Sequence, residues 1–425
     1  MSSQQKFLLL QGPASPFFKK LGLELIKMGH LAWKVNFCGG DKITSLGGVP
    51  QFDYQDKFDN FSDWLTKLFK QYTFTHIILF GDTRPFHKIA INIAKQYNCN
   101  VYVYEEGYLR PDWITLEKCG VNGNSNIINL YKDFNWLLNH KPSLLNHPIA
   151  KDTNLSTTKR FLQDLIYRFA TFCYSYNYPH YKTYRPTNAF IEYLGWFKRI
   201  PIKIIKIPQE TLKLKSLIRN KQSYYFYPLQ LNSDSQIRIH SKFGNIENTL
   251  KYILQSFFKN SPKTSLLIIK NHPFDTGLIN YKKIILSLCK DYKVDANRVI
   301  YFENGHLPTL LKNASGTVVI NSTVGLSALV HQCPTITLGT AIYNIPGLTN
   351  QCNLDFFWNN LEKPNIDLYI KLENFLMENN QINGNFYTKR GINMSIEGSL
   401  KLLHLTYCLP LIDYVNTLLT SPAKL

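Results

Sequence analysis

The stretch SLLIIKNHPFDTGLINYKKIILSLCK, residues 265–290, is followed after a short gap by VIYFE at residues 299–303. The apolar run SLLII that ends in Lys-Asn-His-Pro predicts a buried strand and a turn, and the apolar spacing of LINYKKIILSLCK predicts a helix. VIYFE predicts the next strand. Strand, helix and strand in such close succession indicate a parallel sheet, because the helix returns the chain to the edge at which the next strand begins.

The same alternation extends in both directions along the chain. From residue 224 onward the predicted strands are YYFYPLQ, SLLIIKNHP, VIYFE, TVVINS and PTITLG, and in the first 130 residues they are KFLLLQG, AWKVNF, HIILFGD and VYVYEEG. Helical patterns lie between them, so we predict two α/β lobes, each built on a doubly wound parallel sheet. The predicted division is an N-terminal lobe (1–150), a basic aromatic helical segment (151–220), a second lobe (221–350) and a helical tail (351–425).

Composition limits the class of protein. The chain has 425 residues, of which 44% are hydrophobic and 14% aromatic, enough for two globular cores. The start MSSQQKFLLLQGP lacks the basic and apolar regions of a signal peptide, and no run approaches the roughly 20 apolar residues of a spanning helix. We therefore expect a cytoplasmic protein whose membrane contact is peripheral. The eight cysteines form no CxxC pair, so we expect reduced thiols and no zinc site.

Positive charge is concentrated in the middle of the chain. The net charge is +19, and residues 151–220 contain 13 Lys and Arg but only 4 Asp and Glu, interleaved with Tyr and Phe. This pattern is typical of nucleic-acid binding or of contact with an anionic bilayer. It also fits a solvated helical insertion whose aromatic side chains pack inward. Charge alone does not choose among the three.

Candidate site residues lie where the predicted strands end, because open parallel sheets bind ligands beyond the carboxyl ends of their strands. The polar or turn-forming residues there are Gln11, Gly12, Asp82, Glu105, Glu106, Gln230, Asp234, Lys270, His272, Pro273, Ser322 and Thr323. Helix capping or turn formation is the alternative role for Asp82, Asp234 and the Ser-Thr pair. Glu105 has an alternative role as the ion-pair partner of Arg110.

Two of these strand ends suit an anionic ligand. Ser322 and Thr323 open a helix whose free N–H groups favour a phosphate or carboxylate, and Pro273 fixes a turn in which His272 can donate to a phosphate oxygen. We expect the two motifs at neighbouring strand ends. The sequence has no GxGxxG, no GxxxxGK[ST] and no clear DxD-like metal pair. Two α/β lobes joined by a linking segment are the architecture of many nucleotide-sugar transferases, and the missing motifs favour one that needs no metal and no cofactor.

Several stretches together carry a family resemblance: LLLQGPASPFFKKLGLELIKMGH, FGDTRPFH, YVYEEGYLRPDWITLE, PLQLNSDSQI, KNHPFDTG and NSTVGLSAL. They resemble the capsule polysaccharide biosynthesis family of Gram-negative bacteria, and within it the single-module β-Kdo transferases that start the capsule glycolipid primer. The resemblance implies two Rossmann-like lobes of the GT-B type, the donor CMP-Kdo, retention of configuration, and a phosphatidylglycerol or lyso-phosphatidylglycerol acceptor. It also fits a peripheral location on the inner face of the inner membrane and partners among other capsule-assembly enzymes, with no role for nucleic acid.

The resemblance also implies roles for individual residues. Gln230 and Asp234 match a Q-x(3)-D motif whose aspartate is a covalent nucleophile, and Glu105-Glu106-Gly107 resembles an acidic-Gly motif that supplies an acid/base. His272-Pro273 and Ser322-Thr323 resemble motifs that hold the CMP phosphate and the donor carboxylate. Position and charge, and not the resemblance, add Asp82 as a second carboxylate and Gln11, Gly12, Arg238 and Lys270 as donor-binding residues. The alternatives are a transferase for another CMP-sugar, such as sialic acid, or a non-catalytic basic protein that binds membranes or nucleic acid.

Overall fold

A computed structural model describes residues 4–130, 135–139, 150–183, 187 and 189–405. The chain forms two compact units. The first comprises the described residues within 1–126, 144–184 and 375–425, and the second those within 127–143 and 185–374.

Strands and helices alternate through both units. The strands are β1 (Lys6–Leu9), β2 (Leu31–Asn36), β3 (Gln51–Asp53), β4 (His76–Phe80), β5 (Asn100–Glu106), β6 (Trp113–Lys118), β7 (Tyr224–Pro228), β8 (Leu266–Lys270), β9 (Val299–Phe302), β10 (Gly316–Val319), β11 (Thr335–Thr337) and β12 (Gln381–Asn383). The helices are α1 (Phe17–Lys27), α2 (Gly39–Ser45), α3 (Phe61–Tyr72), α4 (Pro85–Gln96), α5 (Asn126–Leu130), α6 (Asn135–Asn139), α7 (Thr157–Cys173), α8 (Ala189–Arg219), α9 (Ser235–Arg238), α10 (Ile246–Asn260), α11 (Tyr281–Asp291), α12 (Leu307–Asn313), α13 (Val324–Val330), α14 (Leu354–Phe357), α15 (Ile366–Asn379) and α16 (Lys389–Leu402).

The first unit is built on a seven-stranded sheet in the order β12-β6-β5-β4-β1-β2-β3. Strands β1 to β5 are parallel and follow the Rossmann order 3-2-1-4-5, while β6 is antiparallel to β5 and β12 is antiparallel to β6. Phe7, Leu8 and Leu9 of β1 are fully buried, as expected for a strand covered on both faces. The segment assigned to a helical tail contributes β12 and α16 to this unit, because Gln381 pairs with Thr115 of β6.

The second unit has a five-stranded, wholly parallel sheet in the order β11-β10-β7-β8-β9. If β7 is counted as the first strand of this sheet, its strand order is again 3-2-1-4-5. The buried strand YYFYP of β7 lies at the centre. The prediction of two Rossmann-like α/β lobes is confirmed. The expectation that the His272 and Ser322 motifs follow neighbouring strands is wrong, because β7 lies between β8 and β10 and pairs with both.

The basic segment 151–220 supplies helix α7 to the first unit and helix α8 to the second. Their exposed aromatic side chains include Phe169, Phe172 and Phe197, so the interpretation of an insertion with inward-packed aromatics is wrong for these positions. Among the described residues, no helix combines the length and the hydrophobicity needed to cross a membrane.

Candidate functional site

The second sheet has a switch point between β7 and β10. From β7 the chain adds β8 and β9 on one side and then crosses to add β10 and β11 on the other. Gln230 follows β7 and Asn321 follows β10, and both are buried. Nε2 of Gln230 donates to Oδ1 of Asn321 at 3.0 Å, and the backbone N–H of Asn321 donates to Oε1 of Gln230 at 3.4 Å. Ligands of doubly wound sheets bind at this point, beyond the carboxyl ends of the strands.

Asp234 lies in the turn that follows Gln230 and is the N-cap of α9. Its Oδ1 accepts a hydrogen bond from the backbone N–H of Gln236 at 2.9 Å. Nδ2 of Asn321 donates to the carbonyl oxygens of Gln236, at 2.9 Å, and His240, at 3.3 Å, so the turn is fixed against the end of β10. The capping role considered for Asp234 is therefore present, and it orients a half-buried carboxylate at the switch point.

His272 lies in the loop after β8, on the other side of β7. Its backbone N–H donates to Oδ1 of Asn271 at 2.8 Å, and the backbone N–H of Phe274 donates to Nδ1 of the imidazole at 3.1 Å. Because Nδ1 accepts, the neutral ring carries its proton on Nε2. His272 is thereby set up as an Nε2–H donor, the form needed to bind a phosphate oxygen.

Arg199 of α8 fixes the conformation of the His272 loop. Its side chain is only 3% exposed, and its guanidinium donates to the carbonyl oxygens of His272 at 2.9 Å, Pro273 at 3.4 Å, and Asp275. It also pairs with Oε2 of Glu303, the residue after β9, at 3.2 Å. Three backbone carbonyls of the His272 loop are thus fixed by one buried cation.

Glu210 of α8 completes the attachment of this helix. Its two carboxylate oxygens accept from the backbone N–H groups of Glu303 and Asn304, each at 2.8 Å. Arg199 and Glu210 are absent from the predicted site, because a run of charge such as residues 151–220 predicts an exposed surface and not buried ion pairs. Their spacing of about three helical turns, which puts both on one face, was the available signal.

Lys270 ends β8 and is buried. Its Nζ donates to the carbonyl oxygen of Asn271 at 3.3 Å. The pKa of Lys270 is lowered to about 8, mainly because the side chain is buried and also because the positive charges of Lys203 and Arg199 are near. The negative charges of Glu210 and Glu303 oppose this shift but do not cancel it. The ammonium group is therefore costly to keep charged, and a bound anion would stabilise it.

Ser322 and Thr323 follow β10 and precede α13. The backbone N–H of Val324 donates to Oγ of Ser322 at 3.2 Å, and the hydroxyl of Tyr343 donates to the Ser322 carbonyl. A side chain at Gly325 would place its Cβ 2.2 Å from the Tyr343 hydroxyl, so this close approach requires glycine. Both hydroxyl residues are half-buried at the same sheet edge as Asp234.

The second unit thus brings most of the predicted residues to one edge of its sheet. Arg238 is exposed, in the last turn of α9. The residues gathered at the edge are Gln230, Asp234, Lys270, His272, Pro273, Ser322 and Thr323.

In the first unit, Glu106 ends β5 inside a charged cluster. Its Oε1 accepts from the Tyr387 hydroxyl at 3.0 Å and pairs with Arg160 at 3.0 Å, and its Oε2 lies 3.6 Å from Arg110. Burial alone would raise the pKa of Glu106, but Arg160, Arg110 and Tyr387 outweigh burial and lower it. Glu106 is consequently a stable carboxylate and a weak base.

Glu105 precedes Glu106 on the same strand and points to the opposite face of the sheet. Its Oε1 accepts from the backbone N–H of Glu106 at 3.0 Å, and its side chain is half-buried. The two adjacent carboxylates are therefore in different surroundings. Arg110, considered as a partner of Glu105, pairs with Glu106.

Asp82 follows β4 and fixes a neighbouring loop. Its Oδ2 accepts from the backbone N–H of Val121 at 3.1 Å and from Nδ2 of Asn124 at 3.0 Å, and the side chain is buried. These contacts give Asp82 a structural role, and we leave it out of the proposed site.

Gln11 and Gly12 follow β1 and are also engaged within the first unit. Nε2 of Gln11 lies 3.1 Å from each of Oδ2 of Asp41, the Tyr167 hydroxyl and the Tyr181 hydroxyl. A Cβ at Gly12 would lie 2.9 Å from the ring of Phe18, so close packing selects glycine there. We leave both residues out of the proposed site.

A metal site has no candidate in the described part of the chain, where no group of three or more His, Cys, Asp or Glu is placed to hold an ion. The seven described cysteines are free thiols, and Cys408 lies outside the described residues.

Comparisons with known proteins find similarity to proteins of capsule polysaccharide biosynthesis, modification and export. Residues 75–387 match the family described as capsule polysaccharide biosynthesis protein. The chain is 35% identical over 386 residues to the "Capsule polysaccharide export protein KpsS" of Escherichia coli, covering 91% of this chain and 97% of that protein. It is 34% identical over 396 residues to the "Capsule polysaccharide modification protein LipB" of Neisseria meningitidis serogroup B, covering 92% and 93%.

This chain therefore belongs to the capsule polysaccharide biosynthesis family. Among solved structures, it is similar to the "beta Kdo 2,7 transferase" of Thermosulfurimonas dismutans KpsC, with 14% identity and a TM-score of 0.44 over 94% of this chain and 100% of that one.

Proposed function

We propose that this protein is a retaining glycosyltransferase of capsule biosynthesis that moves β-Kdo from CMP-Kdo to a phosphatidylglycerol-type lipid acceptor. One observation carries the proposal. At the switch point of the second sheet, an oriented carboxylate, Asp234, follows the strand between two others whose ends bear His272 and Ser322. Family membership supplies the capsule context, and the motif resemblance supplies the donor and the acceptor.

The chemistry of the donor matches the groups at this edge. CMP-Kdo carries two negative groups, the phosphodiester and the sugar carboxylate. We assign the phosphate to the Nε2–H of His272 and to the ammonium of Lys270, and the sugar carboxylate to the hydroxyls of Ser322 and Thr323. Donors fixed in advance, as the Arg199 contacts fix the His272 loop, stabilise leaving-group charge without reorganisation.

In the first proposed step, the Asp234 carboxylate forms a bond to C2 of Kdo. The bond from C2 to the phosphate oxygen breaks, and CMP leaves with its electron pair. The configuration at C2 is inverted, and the product is a glycosyl ester on Asp234. The positive charge of Lys270 and the proton of His272 offset the charge that develops on the departing phosphate.

In the second proposed step, an acceptor hydroxyl attacks C2 and the ester bond to Asp234 breaks. The second inversion restores the β configuration, and the hydroxyl proton passes to a base. The lowered pKa of Glu106 makes it a poor base, so we assign this role to Glu105. The lowered pKa of Glu106 supports this choice between the two glutamates, which the sequence leaves open.

A transfer assay tests the proposal. The protein is incubated with a fluorescent lyso-phosphatidylglycerol and CMP-Kdo generated in situ, and the lipid is analysed by mass spectrometry. We expect a product heavier by one Kdo residue. A parallel reaction with CMP-sialic acid tests the alternative donor, and release of CMP without either donor sugar reaching the lipid would contradict the acceptor assignment.

A further inference from the structure

The outward face of α8 is apolar. Among its exposed side chains are Phe197 (76% exposed), Ile204 (62%), Ile205 (68%) and Leu212 (67%). Of the charged residues between positions 190 and 212, only Lys198 is exposed. A helix on a protein surface normally directs such side chains toward the core.

Between Arg199 and Glu210 the inward face of the same helix is charged, whereas Leu214 further along packs into the core of the second unit. Arg199 and Glu210 are buried against the loops of the second unit, as described above. Lys203 donates to the carbonyl oxygen of Pro273 at 3.3 Å, and Lys206 lies 3.9 Å from Glu303. The usual amphipathic arrangement is therefore reversed, with ions toward the protein and apolar groups toward the surroundings.

Helix α7 of the first unit repeats this reversal. Two of its polar side chains turn inward, where Arg160 pairs with Glu106 and Tyr167 donates to Oδ1 of Asp41 at 2.9 Å. Its outward face exposes Phe169 (66%) and Phe172 (77%). Two helices of different units, both from the basic segment, thus expose apolar faces.

We infer that the outward face of α8 docks on an anionic lipid bilayer, and that the outward face of α7, taken by itself, suits the same kind of partner. An exposed apolar helix face of this kind marks an interaction site, and on α8 the charged residues around the face are cationic. The exposed charged residues of α8 are all basic, Lys198, Lys213, Lys215 and Arg219, whereas its two acidic residues, Glu192 and Glu210, are half-buried and buried. The partner must therefore offer an apolar layer beneath a negatively charged surface, and a bilayer with anionic headgroups provides both.

The docking has a defined geometry for α8. The helix is attached to the second unit by its charged face at Arg199, Lys203, Lys206 and Glu210, so its apolar face can enter only the interfacial region. The same helix fixes the His272 loop through Arg199. This inference goes beyond sugar transfer, and it stands whether or not the protein uses CMP-Kdo.

Vesicle co-sedimentation tests the inference without any donor sugar. Wild-type protein is titrated with phosphatidylcholine vesicles, with and without phosphatidylglycerol, at low and high salt. We expect binding that favours phosphatidylglycerol and weakens with salt but persists, because salt screens charges and leaves apolar burial intact. The variant F197Q/I204Q/L212Q should bind about ten-fold more weakly or worse, and F169Q/F172Q should also lose affinity.

The matched control is L46Q/V330Q/F356Q, which replaces side chains of similar exposure (49%, 50% and 57%) outside α7 and α8. It should bind like the wild type, and circular dichroism should show all variants folded. Wild-type affinity in the folded α8 variant overturns the inference. A dimeric wild type that the α8 variant makes monomeric, with vesicle binding unchanged, also overturns it and identifies a second copy of the chain as the occupant.

Discussion

Nε2 of Gln230 lies 3.0 Å from Oδ1 of Asn321, and this hydrogen bond spans the switch point of the second sheet. Asn321 in turn holds the carbonyl of Gln236, the residue whose N–H is capped by Asp234. The amide pair therefore links the end of β10 to the turn that carries the proposed nucleophile. Through Asn321, Gln230 therefore positions Asp234.

Replacing Gln230 with Ala should lower the transfer rate by more than it lowers stability. The change leaves a buried Asn321 oxygen without its donor, at a cost of about 1–3 kcal/mol of unfolding free energy. Urea denaturation and initial rates measure the two effects. Gln222→Ala is the control, because it removes a side-chain bond to the Thr264 carbonyl at the opposite, amino end of the sheet. Equal rates for the two variants would contradict a positioning role for Gln230.

Replacing Arg199 with Ala should release the His272 loop and raise the KM for the donor more than it lowers kcat. It also removes a buried cation from Glu303, at a cost of about 3–5 kcal/mol. Kinetics and denaturant unfolding test both effects, with the exposed neighbour Lys198→Ala as the control. A loss of stability with donor KM unchanged would show that Arg199 supports the fold alone.

Donor binding should weaken as the pH rises through about 8, because Lys270 then loses its proton. The unfolded chain keeps a lysine protonated up to its ordinary pKa of 10.5, so between these values it binds more protons than the folded protein. The contribution of Lys270 to stability should consequently rise over the same window. CMP affinity measured by calorimetry from pH 6 to 10 tests this, and Lys270→Arg should flatten the profile. Identical profiles for wild type and variant would remove Lys270 from the site.

Glu105→Gln should abolish the second step, because the amide cannot take up the hydroxyl proton of the acceptor. Glu106→Gln should destabilise the first unit by about 1–3 kcal/mol at pH 7, because it removes the carboxylate that pairs with Arg160 and Arg110. The lowered pKa of Glu106 means that its stabilising charge is complete above 4.5 and is lost as the pH falls through the folded-state pKa. The difference in thermal midpoint between wild type and variant should therefore shrink in acid.

The control for Glu106 is the exposed pair Glu397–Lys401, where Glu397→Gln should have little effect at any pH. A Glu106→Gln variant that keeps wild-type stability but loses all transfer would reverse the roles assigned to the two glutamates.

Much of the fold followed from local sequence pattern. Strands such as β7 and β8 are uninterrupted apolar runs, because both faces of their sheet are covered. Strands β3, β6 and β12 were missed. The three residues of β12 have no detectable period, and Gln381 is fixed there by long-range bonds, from the backbone N–H of Tyr108 to its Oε1 and from its Nε2 to the Thr115 hydroxyl.

The candidate site was only partly legible in the sequence. Strand ends gave Asp234, Lys270 and His272, because the carboxyl ends of parallel strands gather at one edge. Sequence could not show that β7 separates the His272 and Ser322 motifs, since strand order is set by packing across the whole sheet. Sequence also does not show whether a cationic side chain faces solvent or the protein. The basic run therefore predicts a surface position for Arg199, whose side chain is only 3% exposed.

The covalent intermediate on Asp234 is tested most directly by the mass of the intact protein. The protein is mixed with CMP-Kdo in the absence of acceptor and quenched in acid before the mass is measured. We predict a covalent adduct of one Kdo, mapped by peptide analysis to Asp234, absent in Asp234→Ala and retained in Asp295→Ala. Asp295 is the matched control because it also caps a one-turn helix, with a bond of 2.9 Å to the backbone N–H of Asn297, but it precedes β9 at the amino end of the sheet. Transfer to lipid by Asp234→Ala at the wild-type rate would contradict the assignment of Asp234 as the covalent nucleophile.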